Sequence, residues 1–231
     1  MDRDDPAYRG QADYNELLLR LYDPLVLGPI SRFVWRAPSE AGRRLYREHI
    51  RPNHLDVGPG TGYFIAHGGL PAGSRVTILD PNPTVLRHVT RRLRDLEVTA
   101  VEADVLKPLP VKGPFDSAGM NAVLHCLPGP LERKAVAVAN VASVLAPDAT
   151  FFGATVLGRS ARHTRAGRAF LTAFNRRGVF DNLDDTEDGI AEILRASFRE
   201  VTIETVGGLA IFAATGPVAP SRDRSAKEPQ P

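Results

Sequence analysis

The chain is 231 residues long, 43% hydrophobic, and carries 29 basic against 27 acidic residues for a net charge of +2. That length suits one α/β domain with room for a small lid, and so small a net charge excludes the strong field of a surface built for nucleic acid or acidic membrane. The single cysteine, Cys126, excludes an internal disulfide and a cysteine-rich metal site.

No apolar run reaches transmembrane length. The first residues, "MDRDDPAYRGQADYNE", are acidic and polar, unlike a signal peptide. The expectation is therefore a cytoplasmic protein with no membrane partner. Of the 29 basic residues, 25 are arginine, a bias expected of a GC-rich bacterial genome.

Residues 1–12 read as disordered. Residues 13–50 carry apolar positions at helical spacing, interrupted at Pro24, Pro29 and Pro38, which predicts two or three short helices forming an N-terminal lid. Alternation follows. "HLDVG" is a short strand, and residues 61–68 begin a helix. "RVTILD" is a strand. "PTVLRHVTRRLRDL" is a helix with Val85, Leu86, Val89 and Leu93 on one face. "VTAVEAD" and "FDSAGMNAVL" are strands, "PLERKAVAVANVASVLA" a helix and "ATFFGATVL" a strand. Strand and helix alternating through short links predict a doubly wound, mostly parallel sheet. "IAEILRAS" is a further helix. "FREVTIETVG" and "GLAIFAATG" meet at Gly207-Gly208 and read as an antiparallel hairpin. The main domain thus spans residues 51–216, with an insertion at about 158–190 and a disordered tail over 217–231.

The loop after the first strand, Asp56-Val57-Gly58-Pro59-Gly60-Thr61-Gly62, lies where a doubly wound sheet binds its ligand. Glycines admit unusual φ and let a ligand approach the backbone. The dinucleotide fingerprint G-x-G-x-x-G fails here, because its third glycine is Tyr63, and no P-loop sequence is present. Asp56 would repel a pyrophosphate and welcome an amino group. Asp80 ends the second strand, 22 residues after Gly58, where an acid suits the two hydroxyls of a ribose. Asp104, in "EADV", could accept from an adenine amino group. Together these anchors imply a nucleoside that bears a charged amine and no phosphate.

This ordered set, D-x-G-x-G-x-G, then Asp after strand two, then Asp-Val after strand three, resembles the class I S-adenosylmethionine-dependent methyltransferases, a Rossmann-like family. The resemblance covers roughly residues 50–216 and extends to the terminal antiparallel strand. "YDPLVL", "HLDVGPGTGYF" and "LHCLPG" are more narrowly similar to small-molecule methyltransferases of bacterial and fungal natural-product clusters. The resemblance implies S-adenosylmethionine as cofactor, with S-adenosylhomocysteine as product. It places Asp56, Gly58, Pro59, Gly60 and Gly62 along the methionine part. Asp80, with Pro81 and Asn82, would hold the ribose, Asp104 and Val105 the adenine, and Tyr22 in the lid would also touch the cofactor.

Methyl transfer from a sulfonium asks the protein to align an acceptor and, where needed, to take its proton. "GMNAVLHCLPG" follows the fourth strand beside the expected methyl position. His125 is the candidate general base by residue type, Asn121 a contact for the amino-acid end of the cofactor, and Cys126 a small buried hydrophobe. Tyr14, Phe174 and Asn182 are candidate substrate contacts, while Trp35 and Phe33 read as rings that only pack the lid. Residues 159–177 hold six arginines and no acid, followed by Asp181, Asp184, Asp185, Glu187 and Asp188, and suggest a second lid over the acceptor with Phe170 and Phe180. The N-P-P-Y sequence of base- and protein-directed amino-group methyltransferases is absent, as is the acidic pattern of the metal-dependent catechol enzymes. The expectation is a small-molecule acceptor, no metal, no nucleic acid, and a monomer or homodimer. Three rival readings are intramolecular cyclisation of S-adenosylmethionine, a non-catalytic module that senses it, and an RNA methyltransferase, against which the mild net charge argues.

Overall fold

The computed structural model describes residue 23 and residues 26–37 and 39–218. Strands β1 (Asn53–Val57), β2 (Arg75–Asp80), β3 (Glu97–Glu102), β4 (Phe115–Asn121), β5 (Leu145–Val156), β6 (Phe198–Val206) and β7 (Leu209–Pro217) form one sheet in the order β3-β2-β1-β4-β5-β7-β6. The first five pair in parallel, and β7 joins antiparallel to both β5 and β6. This is the expected doubly wound sheet with its antiparallel terminal hairpin. The order reverses between β1 and β4, which puts the switch point beside the glycine loop.

Helices α1 (Ser39–His49), α2 (Tyr63–Ala66) and α3 (Pro83–Arg92) cover one face, packing Leu45, Ile65, Val85, Leu86 and Val89 on Val76, Ile78 and Phe152. On the other face α4 (Leu131–Ala142) and α6 (Glu187–Arg195) pack Ala137, Val138, Val141, Ile190 and Leu194 on Leu55, Val57, Met120 and Phe151. Strand side chains alternate between faces, so Phe151 and Phe152 are both fully buried on opposite sides. Each such side chain contributes about 1.5–3 kcal/mol of burial. Helix starts follow local chemistry. Asn82 caps α3 by accepting from Thr84 N, with Pro83 at the first helical position. Thr164 caps α5 (Arg165–Arg176) and Thr186 caps α6 in the same way.

The predicted helix over 61–68 is a single turn, since Gly68 and Gly69 follow it at once. The strand predicted to continue to Leu124 stops at Asn121, because Ala122 takes a positive φ of 61°. β7 runs through Pro217, past the expected boundary, and Val218 N–H donates to Ser197 O. In the N-terminal region a kinked π-helical segment, Val26–Val34, precedes α1. The expected contacts Tyr14 and Tyr22, the disordered start and the tail beyond 218 lie outside the described residues. No helix among the described residues is long and apolar enough to cross a membrane.

Candidate active site

A cavity of about 520 Å³ opens above the carboxyl ends of β1, β2, β4 and β5, within the range of roughly 300–1,000 Å³ usual for small-molecule sites. At the ends of β1, β2 and β3 it is lined by Gly58, Pro59, Gly60, Asp80, Pro81, Asn82, Asp104 and Val105, and at the end of β4 by Asn121. At and past the ends of β4 and β5 it is lined by His125 and Thr155, with Trp35 from the N-terminal region and Phe170, Phe174 and Phe180 from the insertion. Most of the residues singled out from sequence therefore share one wall.

The three loop glycines serve different ends. All have positive φ. A methyl at Gly58 would meet Val123 Cγ2 at 2.4 Å, and one at Gly62 would press Val89 Cγ1 at 3.0 Å. Those two are glycines because the chain packs on itself. A methyl at Gly60 would meet nothing within 4 Å, since Gly60 fronts the open cavity. Gly58 and Gly60 both line the cavity, Gly60 with open space where a side chain would stand, and Gly62, expected at the cofactor, does not reach the wall. The loop is anchored by Gly58 N–H donating to Leu79 O.

Asp80 is 8% exposed and accepts the Asn82 N–H through Oδ1 at 2.7 Å. Burial pushes its carboxyl up to about 7, the Asn82 hydrogen bond only partly opposing this. A buried carboxylate short of donors suits vicinal hydroxyls, which would supply them. Asp104 is half-buried, with Oδ1 accepting Leu106 N–H at 2.9 Å. The residues present thus fit a nucleoside with a bare-backbone approach at Gly60.

Asp56 departs from expectation. The pleat points it away from the cavity, under α1, where Oδ2 accepts from Tyr46 Oη at 2.8 Å and lies 3.2 Å from His54 Nε2. His54 Nδ1 in turn meets Ser117 Oγ at 2.8 Å, and that hydroxyl accepts Arg51 N–H. Asp56 Oδ1 is buried with no partner among the described residues. Burial raises this carboxyl despite His54 and Tyr46. Asp56 therefore ties the first strand to α1 and does not line the cavity.

The loop also reaches the N-terminal segment. Asp23 accepts from Thr61 Oγ1 at 2.5 Å and pairs with Arg92 Nη1 at 2.6 Å, while Arg92 donates to Thr61 O and lies over the Tyr63 ring. This latch joins Asp23 to the glycine loop and α3.

His125 lies in a one-turn 3-10 helix, Leu124–Cys126, directly after β4. It is buried, and Val156 N–H donates to its Nδ1 at 3.1 Å, with Thr155 Oγ1 at 3.2 Å. Phe180 meets the ring edge-on at 4.4 Å, and Phe174 and Phe170 continue the aromatic wall. Burial, aided by the Lys134 cation, pulls the imidazole down to about 3. Burial pushes the neighbouring Cys126 thiol up to about 12.

From the insertion, Phe170 and Phe174 of α5 and Arg177, Val179 and Phe180 of the loop after it line the cavity. Asn182, expected at the substrate, is buried and spent internally: its Nδ2 donates to Val156 O at 2.7 Å and its Oδ1 accepts from Asn175 Nδ2 at 3.0 Å. It clamps the insertion to β5 and does not line the cavity. Lys134 adds a second pin, donating from a fully buried position to Asp185 Oδ2 at 2.5 Å and to Asp181 O at 2.6 Å. Phe174 lines the cavity. Trp35 packs the N-terminal segment and also faces the cavity, whereas Phe33 is 68% exposed and packs little. Tyr46, Tyr63, Phe64 and Leu209 line the wall as well and were not picked out from sequence. Tyr63 carried the one available signal, as the residue that breaks the dinucleotide fingerprint. Among the described residues no cluster of three or more His, Cys, Asp or Glu is placed to hold a metal ion.

Residues 55–151 match the family described as a methyltransferase domain. The chain is 36% identical over 215 residues to the physcion biosynthesis cluster O-methyltransferase of Aspergillus chevalieri, covering 92% of this chain and 97% of the relative. It is 34% identical over 213 residues to the demethylluteothin O-methyltransferase of Streptomyces thioluteus, covering 91% and 93%. Its fold is similar to that of the N-methyltransferase NodS from Bradyrhizobium japonicum WM9, solved with S-adenosyl-L-homocysteine, at a TM-score of 0.64 and 18% identity over 93% of this chain and 100% of the other.

Proposed function

The chain belongs to the S-adenosylmethionine-dependent methyltransferases, and on that premise we propose that it methylates an oxygen of a small, flat, largely apolar molecule held against the aromatic wall. The observation that carries this reading is one cavity lined by glycines and acids at the ends of β1, β2 and β3 and by His125 and aromatic rings beyond the ends of β4 and β5. Cyclisation or sensing of the cofactor would need no wall for an acceptor. The two full-length relatives named above are O-methyltransferases of natural-product pathways, which supports oxygen as the acceptor atom and secondary metabolism as the setting.

Bound S-adenosylmethionine supplies a methyl group already activated as a sulfonium. In this reading Asp80 accepts the ribose hydroxyls, Asp104 the adenine amino group, and the Gly60 backbone borders the methionine part. Asn121, ending β4, lines the cavity as well. Phe170, Phe174 and Phe180 exclude water and stack the acceptor, an alignment that removes much of the entropic barrier of a two-body reaction. The Lys134–Asp185 pair and the Asn182 clamp hold that aromatic wall in place.

The test is calorimetric titration of S-adenosylhomocysteine into the wild type, Asp80→Ala and Phe174→Ala, with a panel of hydroxylated polycyclic aromatics screened by mass spectrometry for gain of one CH2. Asp80→Ala should weaken S-adenosylhomocysteine binding, while Phe174→Ala should spare it and reduce methylation. Equal loss of cofactor affinity in both variants would sink this assignment.

A further inference from the structure

His125 stands where a general base is wanted, yet its connections are those of a donor. A peptide N–H can only donate, so the Val156 N–H at 3.1 Å leaves no room for a proton on His125 Nδ1. The neutral ring then carries its hydrogen on Nε2. The nitrogen with the free pair is turned into β5 and engaged, and the other nitrogen already holds its hydrogen. No described residue receives that Nε2–H, and the residue lines the cavity.

The groups around the ring agree. β5 presents Thr155 and the Val156 N–H. The insertion presents Phe180 and an Asp181 N–H that donates to the His125 carbonyl at 2.9 Å. From α4 comes the Lys134 cation, paired with Asp185. No carboxylate among the described residues hydrogen-bonds the ring, so nothing there favours an imidazolium. The other acids of the wall lie across β1 from the turn that follows β4: Asp80 ends β2 and Asp104 follows β3, and Tyr46 Oη is committed to Asp56.

We infer that His125 is a fixed Nε2–H donor that receives an acceptor oxygen already ionised, so the acceptor class is a phenol or enol acidic enough to lose its proton near neutrality, as when conjugated to a carbonyl. The inference rests on reading the cavity as a methyl-transfer site. The acceptor oxyanion, held by Nε2–H, forms an O–C bond to the methyl carbon as the C–S bond breaks. The bonding pair stays on sulfur, and the His125 proton stays on Nε2 throughout. Because the oxygen loses its charge in the step, the hydrogen bond is strongest before transfer. His125 therefore acts on which protonation state binds and where its oxygen sits, and its loss should raise KM more than it lowers kcat.

Two measurements on the full chain test this. The first is nitrogen-15 NMR of histidine-labelled protein, free and with S-adenosylhomocysteine, the His125 signals being assigned by their loss in His125→Gln. Nδ1 should be unprotonated and Nε2 protonated across neutral pH. A protonated Nδ1, or titration of the ring near ordinary histidine values, would overturn the inference. Failure of the methyltransferase-site reading would appear separately, as absent S-adenosylhomocysteine binding. The second uses 4-nitrophenol as probe, with absorbance reporting its phenolate in the S-adenosylhomocysteine complex. The wild type should bind the phenolate in preference, His125→Ala should lose about tenfold of that preference, and His125→Gln, a donor without basicity, should recover part of it. Equal behaviour in all three proteins, or His125→Gln no better than His125→Ala, would refute it.

Discussion

Replacing Asp80 by Asn keeps the side chain's shape and its acceptor for the Asn82 N–H, and removes a charge that the ligand-free protein holds with little solvent. Burial raises this carboxyl from the ordinary 3.8 to about 7. The folded chain thus binds a proton that the unfolded chain has released, and stability from this group is full below about pH 4 and is lost as pH rises through about 7. At about 1.4 kcal/mol per pH unit across roughly three units, ionised Asp80 costs about 4 kcal/mol above neutrality as an upper bound. Asn pays none of this. Asp80→Asn should match the wild type near pH 4 and exceed it at pH 8 by about 2–4 kcal/mol, or roughly 5–15 °C in Tm for a chain of this size. Other titrating groups are common to both proteins and cancel in the difference. Thermal unfolding of the two ligand-free proteins from pH 4 to 8 gives the answer, and calorimetry with S-adenosylhomocysteine should show the more stable variant binding at least about tenfold more weakly. A variant that is no more stable at pH 8, or a gap that does not change with pH, would refute the reasoning.

The same carboxyl makes cofactor affinity pH-dependent: hydroxyl donors favour its charged form, so S-adenosylhomocysteine binding should weaken as pH falls below about 7 in the wild type and not in Asp80→Asn, as read by calorimetry. The glycines separate packing from binding. Gly58→Ala, driven into Val123, should destabilise the fold by several kcal/mol, whereas Gly60→Ala should cost about 1–2 kcal/mol of backbone strain and mainly lower cofactor affinity, the two being told apart by unfolding and titration on each variant. Arg92→Ala should cost the fold about 1 kcal/mol or less, since the pair is partly exposed, but should speed amide exchange around Asp23 and Thr61. Lys134→Ala strands Asp185 in a buried place and should lower stability by about 3–5 kcal/mol, a loss that Lys134→Met with Asp185→Leu should largely avoid in denaturant titrations.

Sequence by itself determined the architecture, because its signals are local. Alternation of apolar residues and the Gly207-Gly208 turn act over a few residues, and they located all seven strands to within a few positions. It also determined the ligand end of the sheet, since Asp80 ends a strand, Gly60 and Asp104 each follow one, and ligands in a doubly wound sheet sit beyond the carboxyl ends of its strands. What tertiary structure alone decided is which way each of these side chains is spent. Asp56 and Asp80 are both acids at strand ends, yet the pleat sends one to Tyr46 and His54 and the other to the cavity. Gly58 and Gly62 look like ligand glycines until Val123 and Val89 arrive from elsewhere in the chain. Asn182 resembles a substrate contact until β5 takes its amide through Val156 O. His125 carries the residue type of a base, and a backbone N–H thirty-one residues away fixes its tautomer as a donor. A polar side chain's role depends on which partner completes its hydrogen bonds, and those partners come from contacts between distant segments that no local pattern encodes.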